Sequence, residues 1–183
     1  MPEKNTTTTY DVIVIGAGAA GMIAAGHAAH QGARVLLLEK MRRAGRKLLI
    51  TGKGRCNITN NSPKSVFYKN IFPNGRFLQH AFDAFFTEDI LKIMHDQGVD
   101  TTTERGDRIF PVSNNAADVV NALMGWMGKK NIESIYEARV SGLLMEGTTV
   151  VGIRAVINGI NKEFYGKRVI VCTGGKSYPA TGS

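Results

Sequence analysis

Three glycines at positions 16, 18 and 21, set directly behind the β-branched run Tyr10–Ile15, restrict what this chain can fold into more than anything else in its sequence. The run, YDVIVI, suits a strand buried on both faces, as the strands of parallel sheets are. Behind the glycines comes alanine-rich, helix-forming sequence that stops at Gly32, a residue fit to close a helix C-terminus. A second apolar run, Arg34 to Leu38, ends at Glu39. Strand, tight turn, helix and strand in about thirty residues is the spacing of a βαβ unit that binds a dinucleotide.

Each residue type in that unit has a physical task. Gly16 permits the sharp turn, Gly18 leaves no Cβ between the backbone and a pyrophosphate, and Gly21 lets the helix lie close to the strand. The N–H groups of Ala19 and Ala20, at the helix N-terminus, are placed to meet the phosphates. Glu39 stands 18 positions after Gly21, at the tip of the second strand, where a carboxylate accepts hydrogen bonds from ribose hydroxyls, and Lys40 is beside it. The acid argues against NADP here, because it would repel a 2′-phosphate.

The rest of the composition narrows the partners. A chain of 183 residues fits one domain, or one domain carrying a small subdomain. With 43% hydrophobic and 21% charged residues it is too apolar for wholesale disorder, and only residues 1–9, MPEKNTTTT, read as a loose tail. Its 23 lysines and arginines outnumber 15 acids, so an anionic partner is expected. Six of the basic residues fall between Arg42 and Arg55, interleaved with Gly45, Gly52 and Gly54 and with no aromatic residue among them. A nucleic-acid groove would want aromatics there for stacking. Cys56 and Cys172 sit far apart and form neither a CxxC motif nor a disulfide scaffold, so the cytoplasm is the expected compartment and no metal site is expected. The least polar stretch, Val12 to Ala29, is broken by glycines and His27 and falls short of a membrane span.

Further along, the run GRKLLITGKGRCNITN, Gly45 to Asn60, resembles the signature that follows the first FAD motif in bacterial NAD(P)/FAD-dependent oxidoreductases of the aminoacetone-oxidase or dehydro-bile-acid-reductase type. The resemblance implies that Gly45, Arg46, Lys47, Gly52, Gly54, Arg55, Cys56 and Asn57 lie along the pyrophosphate, ribityl and flavin end of FAD. Lys53 departs from it, since most members carry a small residue there. Val171-Cys172-Thr173-Gly174-Gly175 resembles the second FAD motif of the same family, with Cys172 in place of alanine, and Thr173, Gly174 and Gly175 would join the site. By the same analogy Val140 presents its backbone to the adenine. The likeness runs from Tyr10 to Ser183 and implies a longer parent, with a substrate domain and a last FAD segment beyond this sequence.

Between these motifs, Thr87 to Gly98 reads as a helix with Thr87 as its N-cap, and Asn115 to Lys130 as an amphipathic helix whose Trp126 and methionines belong to the core. Asp107 to Asn114, DRIFPVSN, matches the family without a derivable role. From Glu137 the pattern has period two, punctuated by Gly147 and Asn158-Gly159, which predicts three antiparallel strands followed by a separate apolar strand, Arg168 to Cys172.

The expected fold is α/β: a Rossmann-like FAD-binding domain of the two-dinucleotide-binding type over residues 10–183, with a parallel sheet, helices and an antiparallel β-meander. The expected partners are FAD and a small-molecule substrate, with NAD(P)H as a possible electron donor in the parent and with neither nucleic acid nor membrane. No catalytic constellation of the Ser-His-Asp, Cys-His or paired-carboxylate kind is legible, and the flavin would carry the redox chemistry. Three rivals stand beside it: a module that binds FAD or ADP-like nucleotides without turnover; a basic nucleic-acid-binding domain, which explains the charge but not the glycine spacing; and a nicotinamide-dependent Rossmann dehydrogenase, whose parallel βα repeats should continue after Glu39, where this sequence turns to a loop and then a meander.

Overall fold

The computed structural model describes residues 9–128 and 130–178, so the tail expected over 1–9 lies outside it except for Thr9, as do Pro179 to Ser183 of the family likeness. In chain order β1 (Thr9–Ile15), α1 (Ala19–His30) and β2 (Val35–Leu38) come first. A 3-10 segment (Leu48–Gly54), β3 (Thr59–Asn60), α2 (Lys64–Asn70), a 3-10 turn (Gly75–Leu78), α3 (Gln79–Ala84) and α4 (Thr87–Asp96) follow. Then come β4 (Thr101–Glu104), β5 (Arg108–Pro111), α5 (Ala116–Met127), β6 (Ile132–Ile135), β7 (Ala138–Glu146), β8 (Thr149–Ile157) and β9 (Ile160–Val171). These elements form two compact units, one made of the chain up to Lys47 and from Met127 on, the other of Leu48–Trp126.

The first unit is a six-stranded sheet in the order β6-β2-β1-β9-β8-β7. β6, β2, β1 and β9 run parallel, and β9, β8 and β7 are antiparallel. The α/β class and the mostly parallel sheet with its meander are therefore as expected. α1 packs on β1, β2, β6 and β9 through Met22, Ala25 and Ala29. A second apolar cluster gathers Ile13, Ile15, Leu36, Leu38, Ala138, Ile153 and Ala155. β2 is buried along its whole length, as a strand inside a parallel sheet must be.

Two features of this sheet differ from the expectation. β6 was not foreseen, because IESI has one apolar residue at each end and no run between them, yet it pairs with β2 from Ile132↔Val35 to Ile135↔Leu38. The separate apolar strand after the meander does not exist either. β9 is a single strand of 12 residues whose first half pairs antiparallel with β8 (Ile160↔Ile157 to Tyr165↔Gly152) and whose second half pairs parallel with β1 (Tyr165↔Thr9 to Val171↔Ile15). Gly166 sits where the neighbour changes; a Cβ there would come within 2.8 Å of Ile13 Cγ1. The Asn158-Gly159 turn is as predicted, with both residues at positive φ, 51° and 78°.

Tyr10 ties the sheet together across β2. It is 4% exposed and donates its hydroxyl to Glu133 Oε2 on β6 at 2.7 Å. Burial, reinforced by that carboxylate, pushes its phenol up to about 12 from the usual 10.0. A group whose value rises on folding contributes stability below its unfolded value and loses it as the pH climbs through the folded one. Urea midpoints of the wild-type chain are therefore expected to fall between pH 10 and pH 12 relative to a Tyr10→Phe chain, which lacks this slope and is about 1 kcal/mol weaker at pH 8. Parallel alkaline slopes for the two chains would contradict the assignment.

The second unit holds a small antiparallel sheet, β3-β5-β4, and β5 lies within the stretch Asp107 to Asn114 that had no derivable role. Its core includes Ile93, Met94, Ile109, Phe110, Val119, Val120 and Leu123. Thr87 is not the N-cap of α4. Phe86 holds that position, its backbone N–H satisfied by Asp89 Oδ2 at 2.7 Å, while the buried Thr87 hydroxyl donates to the Asn60 carbonyl at 3.0 Å. α5 stops at Met127, short of the expected Lys130, because Gly128 turns to φ 70°. Met127 is core, but Trp126 is half-buried and Met124 exposed, so the apolar stripe is narrower than the periodicity suggested.

Candidate functional site

The glycine turn lies at the carboxyl edge of the parallel strands. Gly16 donates its N–H to the Leu38 carbonyl at 2.7 Å, and Cys172 donates to the Ile15 carbonyl at 2.8 Å, so the ends of β1, β2 and β9 are stitched side by side. A Cβ on Gly16 would stand 2.5 Å from the Cys172 carbonyl oxygen, and the residue has φ 100°, so side chain and conformation both demand glycine. β1 has β2 on one flank and β9 on the other, and the chain leaves it toward β2 through α1. The crevice beside such a strand is where open α/β sheets take their ligands.

Gly18 and Gly21 are glycine for opposite reasons. A Cβ on Gly21 would run into the Gly16 carbonyl oxygen, which is how α1 comes so close to the strand end. A Cβ on Gly18 would meet nothing within 4 Å, and the residue caps α1 in ordinary extended conformation at φ −80°. The fold has no need of glycine there; the open space is a cradle that a side chain would fill. Ala19 and Ala20 begin the helix beside it, exposed, and Gly18 offers the helix no side-chain cap. First-turn N–H groups and the helix dipole then favour an anion.

Glu39 accepts two backbone N–H bonds, from Ala17 to Oε2 at 2.8 Å and from Met41 to Oε1 at 2.9 Å. The carboxylate is thus fixed at the turn, and each oxygen keeps a lone pair for a hydroxyl donor. Nothing in the sequence signalled these two bonds or the nearness of Tyr136, whose phenol is pushed up by burial and by the Glu39 charge. Lys40 is exposed beside it. Gly45 is buried and donates its N–H to the Ala17 carbonyl at 2.8 Å. Arg46 is half-buried, and Lys47 Nζ donates to the Gly175 carbonyl at 2.9 Å across 128 positions of sequence. Thr173, Gly174 and Gly175 are exposed after β9, with Gly174 at φ 80°. Val140 lies on β7 opposite Ala155, next to a register shift between Val140 and Gly142 that leaves Ser141 unpaired. Two residues before it, Ala138 donates its N–H to the Glu39 carbonyl at 2.9 Å.

Gly52, Gly54, Arg55, Cys56 and Asn57 belong to the second unit. Gly52, Lys53 and Gly54 all turn left-handed (φ 55°, 58° and 86°), followed by Cys56 at 62°. Gly52 is pressed on Phe110, whose Cε1 a Cβ would meet at 2.9 Å. Arg55 lies over the Phe110 ring at 4.1 Å and grips Glu104 with both terminal nitrogens at 2.7 and 3.2 Å. The Asn57 amide nitrogen donates to the Thr59 carbonyl at 2.9 Å. Cys56 is a free, buried thiol pushed up by that burial, with a weaker opposing hydrogen bond to Thr51, so it has no thiolate character.

Among the described residues, no group of three or more His, Cys, Asp or Glu could hold a metal, and no helix is long and apolar enough to cross a membrane. In the first unit, helix N–H groups, the open space at Gly18 and a fixed carboxylate are chemically suited to a phosphate and to ribose hydroxyls.

Known proteins are similar to this chain. A family model described as HI0933-like protein Rossmann domain matches residues 10–183. Ribosomal RNA dihydrouridine synthase of Escherichia coli (strain K12) is 29% identical over 95% of this chain and 42% of its own length. The 3-dehydro-bile acid delta(4,6)-reductase of Clostridium scindens is 31% identical over 93% of this chain and 40% of its own length. The 3-ketosteroid-delta4-(5alpha)-dehydrogenase of Rhodococcus jostii RHA1 superposes with TM-score 0.70 at 19% identity, covering 94% of this chain and 48% of that one. The chain spans about two fifths of the length of these two curated relatives.

Proposed function

The chain belongs to the HI0933-like family of FAD-binding Rossmann domains, and on that premise we propose that it is the FAD-binding portion of an oxidoreductase that moves hydride between a nicotinamide nucleotide and an organic substrate or oxygen. The observation that carries this reading is the cradle at Gly18, open in a turn whose other glycines are enforced by packing. In the proposal the N–H groups of Ala19 and Ala20 and the bare backbone of Gly18 hold the pyrophosphate. Glu39, already oriented by Ala17 and Met41, accepts from the ribose hydroxyls, and Gly45 and Lys47 brace the turn and the segment after β9. When bound, FAD supplies the hydride chemistry, and the chain supplies position and charge.

The names of the relatives do not share a substrate: one acts on ribosomal RNA, one on a dehydro-bile acid. What they have in common with this chain is the domain, so the substrate is set by residues outside the shared motifs. The purified chain is expected to carry a flavin spectrum, or to acquire one on titration with FAD, and to surrender it to excess ADP. A colourless chain indifferent to added FAD would sink the proposal. Slow or absent reduction of bound FAD by NADH would favour the reading of a module that binds without turnover.

A further inference from the structure

Three strands of the first unit end side by side and in register. Ile15, Leu38 and Ile135, the last residues of β1, β2 and β6, are Cα partners across the sheet. The residues that follow them are Gly16, Glu39 and Tyr136. Adjacent strands stand about 4.8 Å apart, so this row of three positions crosses roughly 10 Å of the carboxyl edge. The first two belong to the proposed nucleotide site, and the third, on the far side of the carboxylate, is a tyrosine.

The connection that carries Tyr136 is tied to Glu39 from both sides. Glu39 donates its N–H to the Ile135 carbonyl at 2.9 Å, and its own carbonyl accepts from Ala138 at 2.9 Å. Glu137, at φ 54°, donates its N–H to the Met41 carbonyl at 3.2 Å, and its side chain pairs with Arg42 at 3.2 Å. The backbone of Tyr136 is thus held in a short loop folded around residues 39–42. Its side chain is half-buried, and among the described residues its hydroxyl has no hydrogen-bond partner. Burial, and after it the Glu39 charge, pushes the phenol up, which keeps it an O–H donor. An unpartnered donor therefore stands near a carboxylate whose oxygens have lone pairs to share, and the two are not bonded to each other.

We infer that Tyr136 is a second ribose-binding residue and that, with Glu39, it makes the site specific for an unmodified ribose; the inference rests on the FAD reading proposed above. A dinucleotide whose pyrophosphate lies at the start of α1 carries its adenosine outward past Glu39, which brings the ribose between the tips of β2 and β6. A donor and an acceptor that do not reach each other are bridged by a group that is both at once. A hydroxyl is such a group: its hydrogen goes to Glu39 and its oxygen accepts from Tyr136. A 2′-phosphate would offer Tyr136 an acceptor but set charge against Glu39. A deoxyribose would leave polar partners unmet, the condition under which a site rejects an analogue most strongly.

Calorimetric titration with ADP and with 2′,3′-dideoxy-ADP tests it. A Tyr136→Phe chain should bind ADP roughly three- to tenfold more weakly than the wild type, the loss expected for one hydrogen bond. Its affinity for dideoxy-ADP should equal that of the wild type, because the group that Tyr136 meets is then gone from both complexes. Equal ADP affinity in the two chains overturns the assignment, and so does an equal loss for both nucleotides, which is the mark of a merely structural role. A measurement on the wild type alone bears on the same point: saturating ADP should protect Tyr136 from nitration by tetranitromethane, mapped by mass spectrometry, and equal nitration with and without ADP overturns it. Wild-type binding that is indifferent to Tyr136→Phe removes only Tyr136 from the site and leaves the FAD reading standing. A wild type that binds neither ADP nor FAD brings down that reading and this inference with it.

Discussion

A Gly18→Val chain is expected to purify folded and without flavin. Its Cβ would point into space where nothing of the protein lies within 4 Å, and φ −80° with ψ −171° is comfortable for a β-branched residue. Valine at a helix N-cap costs about 1 kcal/mol relative to better caps, so the thermal midpoint of the flavin-free chain should move by only a few degrees. The space that valine fills is, in the proposed reading, the path of the pyrophosphate. FAD affinity is then expected to fall by roughly a hundredfold or more, about 2.7 kcal/mol. Flavin fluorescence titration beside a thermal melt reads both quantities. Wild-type affinity in a Gly18→Val chain would refute the pyrophosphate site, whatever the family likeness says.

The same change three residues on should do the reverse. Gly21 is inside α1, where alanine is intrinsically better than glycine by up to about 1 kcal/mol, so propensity alone predicts that Gly21→Ala stabilises. Packing predicts otherwise, because the new methyl would overlap the Gly16 carbonyl oxygen and press on Cys172 Cβ at 3.4 Å. Both obstacles are close to the backbone at the joint of β1, α1 and β9, and neither is the loose end of a flexible side chain. We expect Gly21→Ala to lose roughly 3 kcal/mol of stability, the upper range of overpacking, in urea unfolding of the flavin-free chain. An unchanged or raised midpoint would show that the helix can back away from the strand at little cost. Together the two glycines separate a position that the ligand restricts from one that the fold restricts, which the spacing of the motif alone does not do.

Much of the first unit was legible because its signals are local. A β-branched run, a glycine turn, an alanine-rich helix and an acid at the next strand tip follow one another without interruption, and each was found where the residues put it. Hairpin turns were legible for the same reason, since Asn158-Gly159 demands its own backbone geometry. What escaped was whatever depends on a partner distant in sequence. β6 is a strand only because β2 offers it an edge, and its four residues carry no pattern of their own. Lys47 finds Gly175, and Tyr10 finds Glu133, across more than a hundred positions. Thr87 opens the helix while Phe86 takes the cap position, and its hydroxyl donates to Asn60 of another element, a bond that no local pattern announces. The donors of the cradle were readable, whereas the bonds that hold them in place were not.

The single strand that changes neighbours at Gly166 also decides how this molecule can be taken apart. Twelve residues of extended chain, about 40 Å at the usual rise, run without a break from the tip of a hairpin to the segment that abuts the glycine turn. A cut at the change-over would strip β1 of one flank and leave the hairpin without its third member. Anyone wishing to transplant the nucleotide-holding half onto another scaffold must therefore carry the whole meander with it, and the smallest excisable module is the entire six-stranded unit.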